Sequence, residues 1–482
     1  MGISNIDEAS GRSFATLGQP NFLGQWLIFP FIALFVKIFN EQKWRDRNIF
    51  IFLIVVTGAA LATTLNRASI IGISLSLILF LIYKFKSKIS AKTFIAGGIL
   101  LAISIALVIF SGGLRSVNSR LTLIKPVIPL AQEHMLIGAG PETMYQTYQK
   151  VLSKDIYITE NLYDIPDRIH NETLQVLLDQ GLIGLVLYLF LIGCLLILFF
   201  KKENFSYEEN SSYFSLIAYF ISMQFSFSIS AHVTILMAAL AVLLSNKLKF
   251  AQKIIDLKNI FLQISLKILL LIFCIFYLYN GLAILMADVY FSKGIDSYFS
   301  QNDESVNYFD SSIKTNPHSR YYLYNASNLL AAKAVGDKSV DLKIEGYLEK
   351  LGQVTNYGYN YYLASAGYYS RIKDFKKENE SFQKASEQAP NWPFVWQEWG
   401  MNLFEEGNYV EAIGKYEKLM SLAPVYWKWS EGLENRSFED KEKYRLFRKN
   451  NNLFYMSMNQ LSAAYAKTGA IDKSNNLLQY LK

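Results

Sequence analysis

Eight long apolar runs fill the first 287 residues, at about Phe22 to Phe39, Ile49 to Leu65, Ala68 to Tyr83, Thr93 to Phe110, Leu182 to Phe200, Tyr213 to Ala231, Val233 to Ser245 and Ile260 to Ala287. A spanning helix needs about 20 apolar residues, with roughly 17 as the lower limit. Most of the runs meet this, and Val233 to Ser245 is the weakest candidate. No polar stripe of helical period recurs within them, as expected of helices that face lipid or one another all round. Between the fourth and fifth runs lies a polar, irregular stretch, about residues 111–172. It carries Arg115, Arg120, Glu133, His134, Arg168 and His170, whereas the runs on either side are almost free of charge. Any chemistry is expected there.

Composition supports a membrane reading. Of 482 residues, 52% are hydrophobic and only 18% charged, too apolar for an ordinary soluble protein. The cysteines, Cys194 and Cys274, both sit inside apolar runs, which excludes a disulfide framework and a CxxC metal or redox site. The net charge of +7 would suit nucleic acid, but the placement of the basic residues argues otherwise. Lysine and arginine cluster after the first, third, fifth and seventh runs, while the second and sixth are followed only by Arg67 and His232. Every second connection is basic, so the positive-inside rule places those turns in the cytoplasm. The central loop and everything after Ala287 then lie outside, and nucleic acid is excluded as a partner. The tail before Phe22 also falls outside, although it is not a signal peptide. A chain lacking earlier spanning helices would show the same pattern.

After Ala287 the chain turns charged and tyrosine-rich, with no further spanning run. Pro390 and Pro424 are 34 residues apart, and the same offset maps Tyr362 onto Trp396, Ala366 onto Gly400 and Phe382 onto Tyr416. This is the period of tetratricopeptide helix pairs. Four or five pairs are expected to stack as an α-solenoid, since one pair cannot bury its apolar face alone. The expected fold is therefore all-α: a polytopic transmembrane bundle over residues 1–287, followed by a repeat domain over 288–482.

Three residues stand out as candidate chemistry. Arg67, in "TTLNRASIIG", lies between two apolar runs; an arginine costs roughly 2.5 to 3.5 kcal/mol at a spanning helix centre and less toward its end. It either holds a ligand or snorkels to water. Arg120, in "SRLTLIKPVI", opens an amphipathic surface helix and is either an anion ligand or part of a solvated face. His170 precedes a cap-like Asn-Glu-Thr segment leading into the fifth run, and reads either as a base or as a structural residue. Two guanidinium forks suit phosphate oxygens, and a histidine neutral near pH 7 can accept a proton from a hydroxyl. Together the three would hold an anionic head group whose tail lies in the bilayer.

Four segments resemble the O-antigen ligase and polymerase superfamily, which includes bacterial O-oligosaccharyltransferases. They are "GRSFATLGQPNFLGQWL", "TTLNRAS", "SRLTLIKPVIPLAQEHMLIGAGPETM" and "HNETLQVLLDQGLIGLVLYL", in the family's order and spacing over roughly Gly11 to Ser245. The chain departs from the family pattern at Asn66, where the family has Ser, and at Ile124, where it has Trp. The resemblance implies that Arg67 and Arg120 bind a donor diphosphate and that His170 activates the acceptor, with His232 at a weaker family position; Arg115, in the same loop, is a further accessory candidate. It further implies inverting transfer of a glycan from an undecaprenyl diphosphate carrier to a hydroxyl of a glycan, lipid or protein acceptor. No cofactor or metal is expected. The enzyme would work on the outer face of a bacterial cytoplasmic membrane, among membrane lipids, and its repeats would offer a surface to a protein partner. A non-enzymatic, membrane-anchored scaffold for envelope assembly is the alternative.

Overall fold

The structure, a computed structural model, describes residues 19–40, 43–85, 120–141, 143–158, 162–163, 166–201, 205–254, 260–302, 304–331, 337–430 and 433–481. The N-terminal tail, the Thr93 to Phe110 run and Arg115 lie outside these. The protein is an all-α polytopic membrane protein. Among the described residues five helices are long and apolar enough to cross a membrane: Pro20–Phe39, Trp44–Thr64, Arg67–Lys84, Glu172–Leu198 and Lys267–Phe299. Two compact units divide the chain, residues 1–144 with 167–260, and residues 145–166 with 261–482.

The first unit contains α1 (Pro20–Asn40), α2 (Trp44–Thr64), α3 (Arg67–Lys84), α4 (Val127–Glu133), α5 (Glu172–Lys201), α6 (Tyr207–Met223) and α7 (Ser230–Ile254). Helix α2 stops because Leu65 is left-handed (φ 50), and α3 begins at once because the Asn66 side chain accepts from Ser69 N–H at 3.2 Å. Helix α6 is the centre of the bundle and packs on α1, α3, α5 and α7. A capping box between Ser206 and Glu209 starts it, and Tyr213, Phe214, Leu216 and Ala218 are fully buried. Gly72 lets α3 approach α6 closely, since a Cβ there would sit 2.3 Å from the Ala218 carbonyl oxygen. One turn on, Ser76 Oγ donates to the Phe214 carbonyl at 2.5 Å. Exposed Phe52, Val55 and Val56 on α2, and Val186, Leu187 and Phe190 on α5, form apolar faces suited to lipid.

The sixth and seventh runs fold differently from their apolar boundaries. Helix α6 starts six residues before Tyr213, at its capping box, and stops at Met223, where Gln224 to Ile229 leave the helix; α7 then extends from Ser230 to Ile254. Polar Gln224, Ser226 and Ser228 break the regular structure inside what reads as one apolar stretch.

In the second unit α8 (Ile260–Phe299) is a single 40-residue helix that runs unbroken past Ala287. Its last turns carry Ala287 and Phe291 into an apolar core with α9 (Ser305–Thr315), α10 (Arg320–Ala331), α11 (Lys338–Thr355) and α12 (Tyr359–Arg371). Helix pairs follow: α10 with α11, α12 with α13 (Phe375–Gln388), and α14 (Pro393–Glu405) with α15 (Tyr409–Leu422). The starts of α12 and α14, and those of α13 and α15, are each 34 residues apart. Gly400 faces Tyr416, where a Cβ would lie 2.8 Å from the ring, and Phe382 stacks on Trp399 with centroids 6.0 Å apart. Two short 3-10 segments and α16 (Phe438–Asn450) interrupt the series before the last pair, α17 (Asn452–Lys467) and α18 (Ile471–Leu478).

Candidate active site

His170, His232 and the turn that carries Arg67 are linked, through intervening residues, where α3, α5 and α7 begin. Helix α5 carries most of the architecture. Asn171 is its N-cap, its Oδ1 accepting from Leu174 N–H at 2.9 Å, and His170 precedes it with φ 57. Positive φ is uncommon outside glycine, and such residues concentrate at functional sites. The turn is held from inside the helix: Gln175 Oε1 accepts from Ile169 N–H at 3.0 Å, and Gln175 Nε2 donates to both oxygens of Asp179 at 3.0 Å. Arg168 reaches the same carboxylate at 4.0 Å, so one buried acid fixes the turn on two sides.

The "GAG" and "DQGLIG" stretches form one device. At Gly181 (φ 65, ψ −162) α5 is interrupted, and residues 135–140 cross it. Backbone bonds run in both directions, from Ala139 and Gly140 N–H to the Leu178 and Asp179 carbonyls at 2.8 and 3.0 Å, and from Leu182 N–H to Met135 at 2.8 Å. The interruption frees carbonyls that a regular helix would consume, and the loop satisfies them. No room exists for side chains at the crossing: a Cβ on Gly138 would lie 2.3 Å from the Asp179 backbone, and one on Gly181 2.4 Å from that of Leu136.

The loop between α6 and α7 closes the other side. Asn171 Nδ2 donates to the Gln224 carbonyl at 2.9 Å, Thr173 Oγ1 to Gln224 Oε1 at 2.8 Å, and Ser228 N–H to Glu172 Oε2 at 3.1 Å. Phe227 is the shared wall. His170 lies 5.2 Å from its ring, the Arg168 guanidinium 5.6 Å and Phe22 5.5 Å. His232, fully buried, hydrogen-bonds through Nε2 to the Phe22 carbonyl at 3.0 Å, and the next carbonyl back, that of Asn21, accepts from Asn66 Nδ2 at 2.7 Å. The α1 start therefore ties the Asn66–Arg67 turn to His232, and Phe227 ties it to His170.

Electrostatics bring in Arg120, which opens the helical turn 120–124. Burial first, and then the Arg120 charge, pull the His170 pKa down to about 4, against a smaller opposing pull from Asp167. His170 is thus a neutral imidazole at pH 7 beside a guanidinium, a group able to accept a proton rather than carry one. Arg67 is at this end by its place at the start of α3, one residue after the Asn66 cap. Among the described residues no three His, Cys, Asp or Glu side chains gather as a metal site. Sequence reasoning counted Arg168 among the charges of the loop without giving it a role, and missed Gln175, Asp179 and Phe227. Gln175 and Asp179 lie just past that loop, where nothing local marks a glutamine four residues before an aspartate as a clamp.

Residues 26–189 match the family model described as O-Antigen ligase. That stretch, about a third of the chain, is therefore similar to O-antigen ligases, a family that in general transfers glycans at the membrane. No curated protein matches the chain.

Proposed function

We propose that the protein is an inverting glycosyltransferase that moves a glycan from an undecaprenyl diphosphate carrier to an acceptor hydroxyl, on the outer face of a bacterial cytoplasmic membrane. The observation that carries this reading is His170 itself, held at φ 57 just before the start of α5 and against the Phe227 ring that also faces the Arg168 guanidinium, with burial and Arg120 favouring its neutral form. In the reaction His170 takes the acceptor's proton as its oxygen forms a bond to the anomeric carbon, opposite the diphosphate. The bond to the diphosphate breaks with its electron pair, and Arg120 and Arg67 stabilise the charge that collects on the leaving group. Guanidinium forks are suited to that task. Arg115 and His232 are accessory, the latter by holding the start of α1 through the Phe22 carbonyl. No step draws on a metal or a cofactor.

The basic turns after α1, α3, α5 and α7 support placing the site outside the cytoplasm, and the second unit with it. The 34-residue spacing of α12 to α14 and of α13 to α15 supports a tetratricopeptide-like array.

Transfer from a radiolabelled carrier in reconstituted membranes tests the reading. Arg120→Lys should lose most transfer and bind carrier less well, because lysine keeps the charge and loses the fork. His170→Ala should keep carrier binding and lose roughly 10²- to 10⁴-fold in turnover. A chelator should change nothing. Undiminished transfer in both variants would leave the scaffold reading as the better one.

A further inference from the structure

The loop that begins and ends on α5 is held at its tip by the helix-pair array. Its two feet stand one turn apart, Gly140 N–H on the Asp179 carbonyl at 3.0 Å and Ile169 N–H on Gln175 Oε1 at 3.0 Å. Between them residues 145–166 belong to the second unit. Tyr145 lies under the Arg320 guanidinium at 4.7 Å, and its carbonyl accepts from Tyr359 Oη at 3.2 Å. Asn391 grips the loop twice: its Nδ2 donates to the Leu152 carbonyl at 2.7 Å, and its own carbonyl accepts from Tyr157 Oη at 2.8 Å. Asn451 Oδ1 accepts from Leu162 N–H at 3.1 Å, and Gln397 Oε1 from Tyr163 Oη at 2.6 Å. Tyr148, Leu152, Ile156, Tyr157 and Leu162 are at most 2% exposed.

An excursion of this length loses conformational entropy at every residue it orders, and a polar loop without a core cannot offset that alone. Here the array supplies both the apolar burial and the hydrogen bonds to the loop backbone. The partners come from the start of α10, from α12, α14, the turn before α14 and the cap of α17, so several helix pairs hold the described parts of the loop.

We propose that the array holds this loop in cis as a positioning element for the transfer site. Asn391, Gln397 and Asn451 are positioning residues: they hold Leu152, Tyr157, Leu162 and Tyr163, from which the chain continues to Asp167, Arg168 and His170. The surface they form is occupied by the protein itself and does not recruit the acceptor. Its bearing on catalysis rests on the transfer reading; the clamp does not.

Hydrogen–deuterium exchange of the full chain in lipid nanodiscs tests both parts. In the native protein residues 145–163 should be protected. In Asn391→Ala/Asn451→Ala they should exchange at least about tenfold faster, with residues 166–171 following and α12 to α15 unchanged. Tyr163→Phe removes only the loop-side hydroxyl that donates to Gln397 and leaves the array's own residues unchanged, so it should speed exchange at the same residues, to a smaller extent, even if the double variant loosens the array. Turnover should fall in both while binding of undecaprenyl diphosphate stays the same. Exchange of native 145–163 at the rate of an unstructured peptide would overturn the clamp. Faster exchange at 145–163 with residues 166–171 and turnover unmoved would overturn the positioning role. A native protein that transfers no glycan would overturn the transfer reading, and the exchange data would still decide the clamp.

Discussion

Gln175 and Asp179 sit one turn apart on α5, and the Gln175 amide spans between the Asp179 carboxylate and the Ile169 backbone, with all three contacts at 3.0 Å. Both side chains are buried, so the contact between them replaces hydrogen bonds that water would otherwise supply. Gln175→Leu keeps the volume, strands the Ile169 N–H and removes the two amide contacts to the Asp179 carboxylate, which keeps Arg168 beside it. Leaving buried polar groups unpaired costs roughly 1–3 kcal/mol each. The variant should melt earlier and exchange faster at residues 167–171. Transfer should fall while carrier binding holds, because the residue touches His170 only through the turn. Normal exchange at 167–171 would mean that Arg168 and Asn171 alone hold the turn.

The crossing of residues 135–140 over the break at Gly181 is strict about size. Gly138→Ala and Gly181→Ala each place a methyl within 2.4 Å of backbone, at φ 75 and 65. Backbone cannot swing aside as a side chain can, so each should cost several kcal/mol or abolish folding. Gly193→Ala on the same helix, with nothing within 4 Å, should be neutral or stabilise by up to about 1 kcal/mol. Thermal melts of the three purified variants compare them directly.

The contrast between those glycines shows what could be read in the sequence. Hydropathy located the spanning helices, because apolar length is a local property that lipid rewards wherever it occurs. The 34-residue offset was equally plain, since Ala366 and Gly400, and Phe382 and Tyr416, answer the same packing need. Gly181 gave no such signal: it lies at the edge of an apolar run, where glycine reads as a tolerated helix residue, and its φ follows from a crossing segment some 45 residues earlier. The continuation of α8 past Ala287 was hidden because composition changes there while the helix does not. His170 and Arg120 were legible as candidates, but their electrostatic coupling, and the clamp of Asn391 on Leu152, depend on pairings between distant parts of the chain.

Within the second unit, Glu378 predicts a dependence of stability on pH. Burial first, and then the Glu406 carboxylate, raise its pKa to about 7. Its folded value lies above the unfolded one, so folding favours the protonated form. This group's contribution should be greatest below about pH 4.5, fall as pH rises to about 7, and stay level above that. The swing is up to roughly 3 kcal/mol. Glu378→Gln should flatten the profile and stabilise the unit at pH 8. Fluorescence melts dominated by the tryptophans of α14 and the following 3-10 segment would follow this, and an unchanged slope in the variant would assign the pH dependence elsewhere.

His170 predicts the opposite direction at the other unit, and its neighbours separate the causes. With a pKa of about 4, the imidazole stays a free base through mildly acidic conditions. The acid limb of turnover should therefore fall near pH 4 rather than near the usual value of about 6.5. Because the folded value is the lower one, protonation favours the unfolded chain, and this group's contribution to stability should be lost as pH drops from about 6.5 to about 4. Arg120→Gln removes the repelling charge but leaves the burial, so the midpoint should rise only part of the way toward 6.5. Asp167→Asn removes the one attractive charge and should lower it. Arg120→Gln is also expected to weaken the carrier, so turnover alone would confuse the two effects. The rate of carbethoxylation of His170, followed by peptide mass spectrometry across pH in carrier-free membranes, reads the free-base fraction directly. A midpoint that stays near 4 in Arg120→Gln would assign the whole depression to burial and remove the argument that Arg120 and His170 act on the same reacting group.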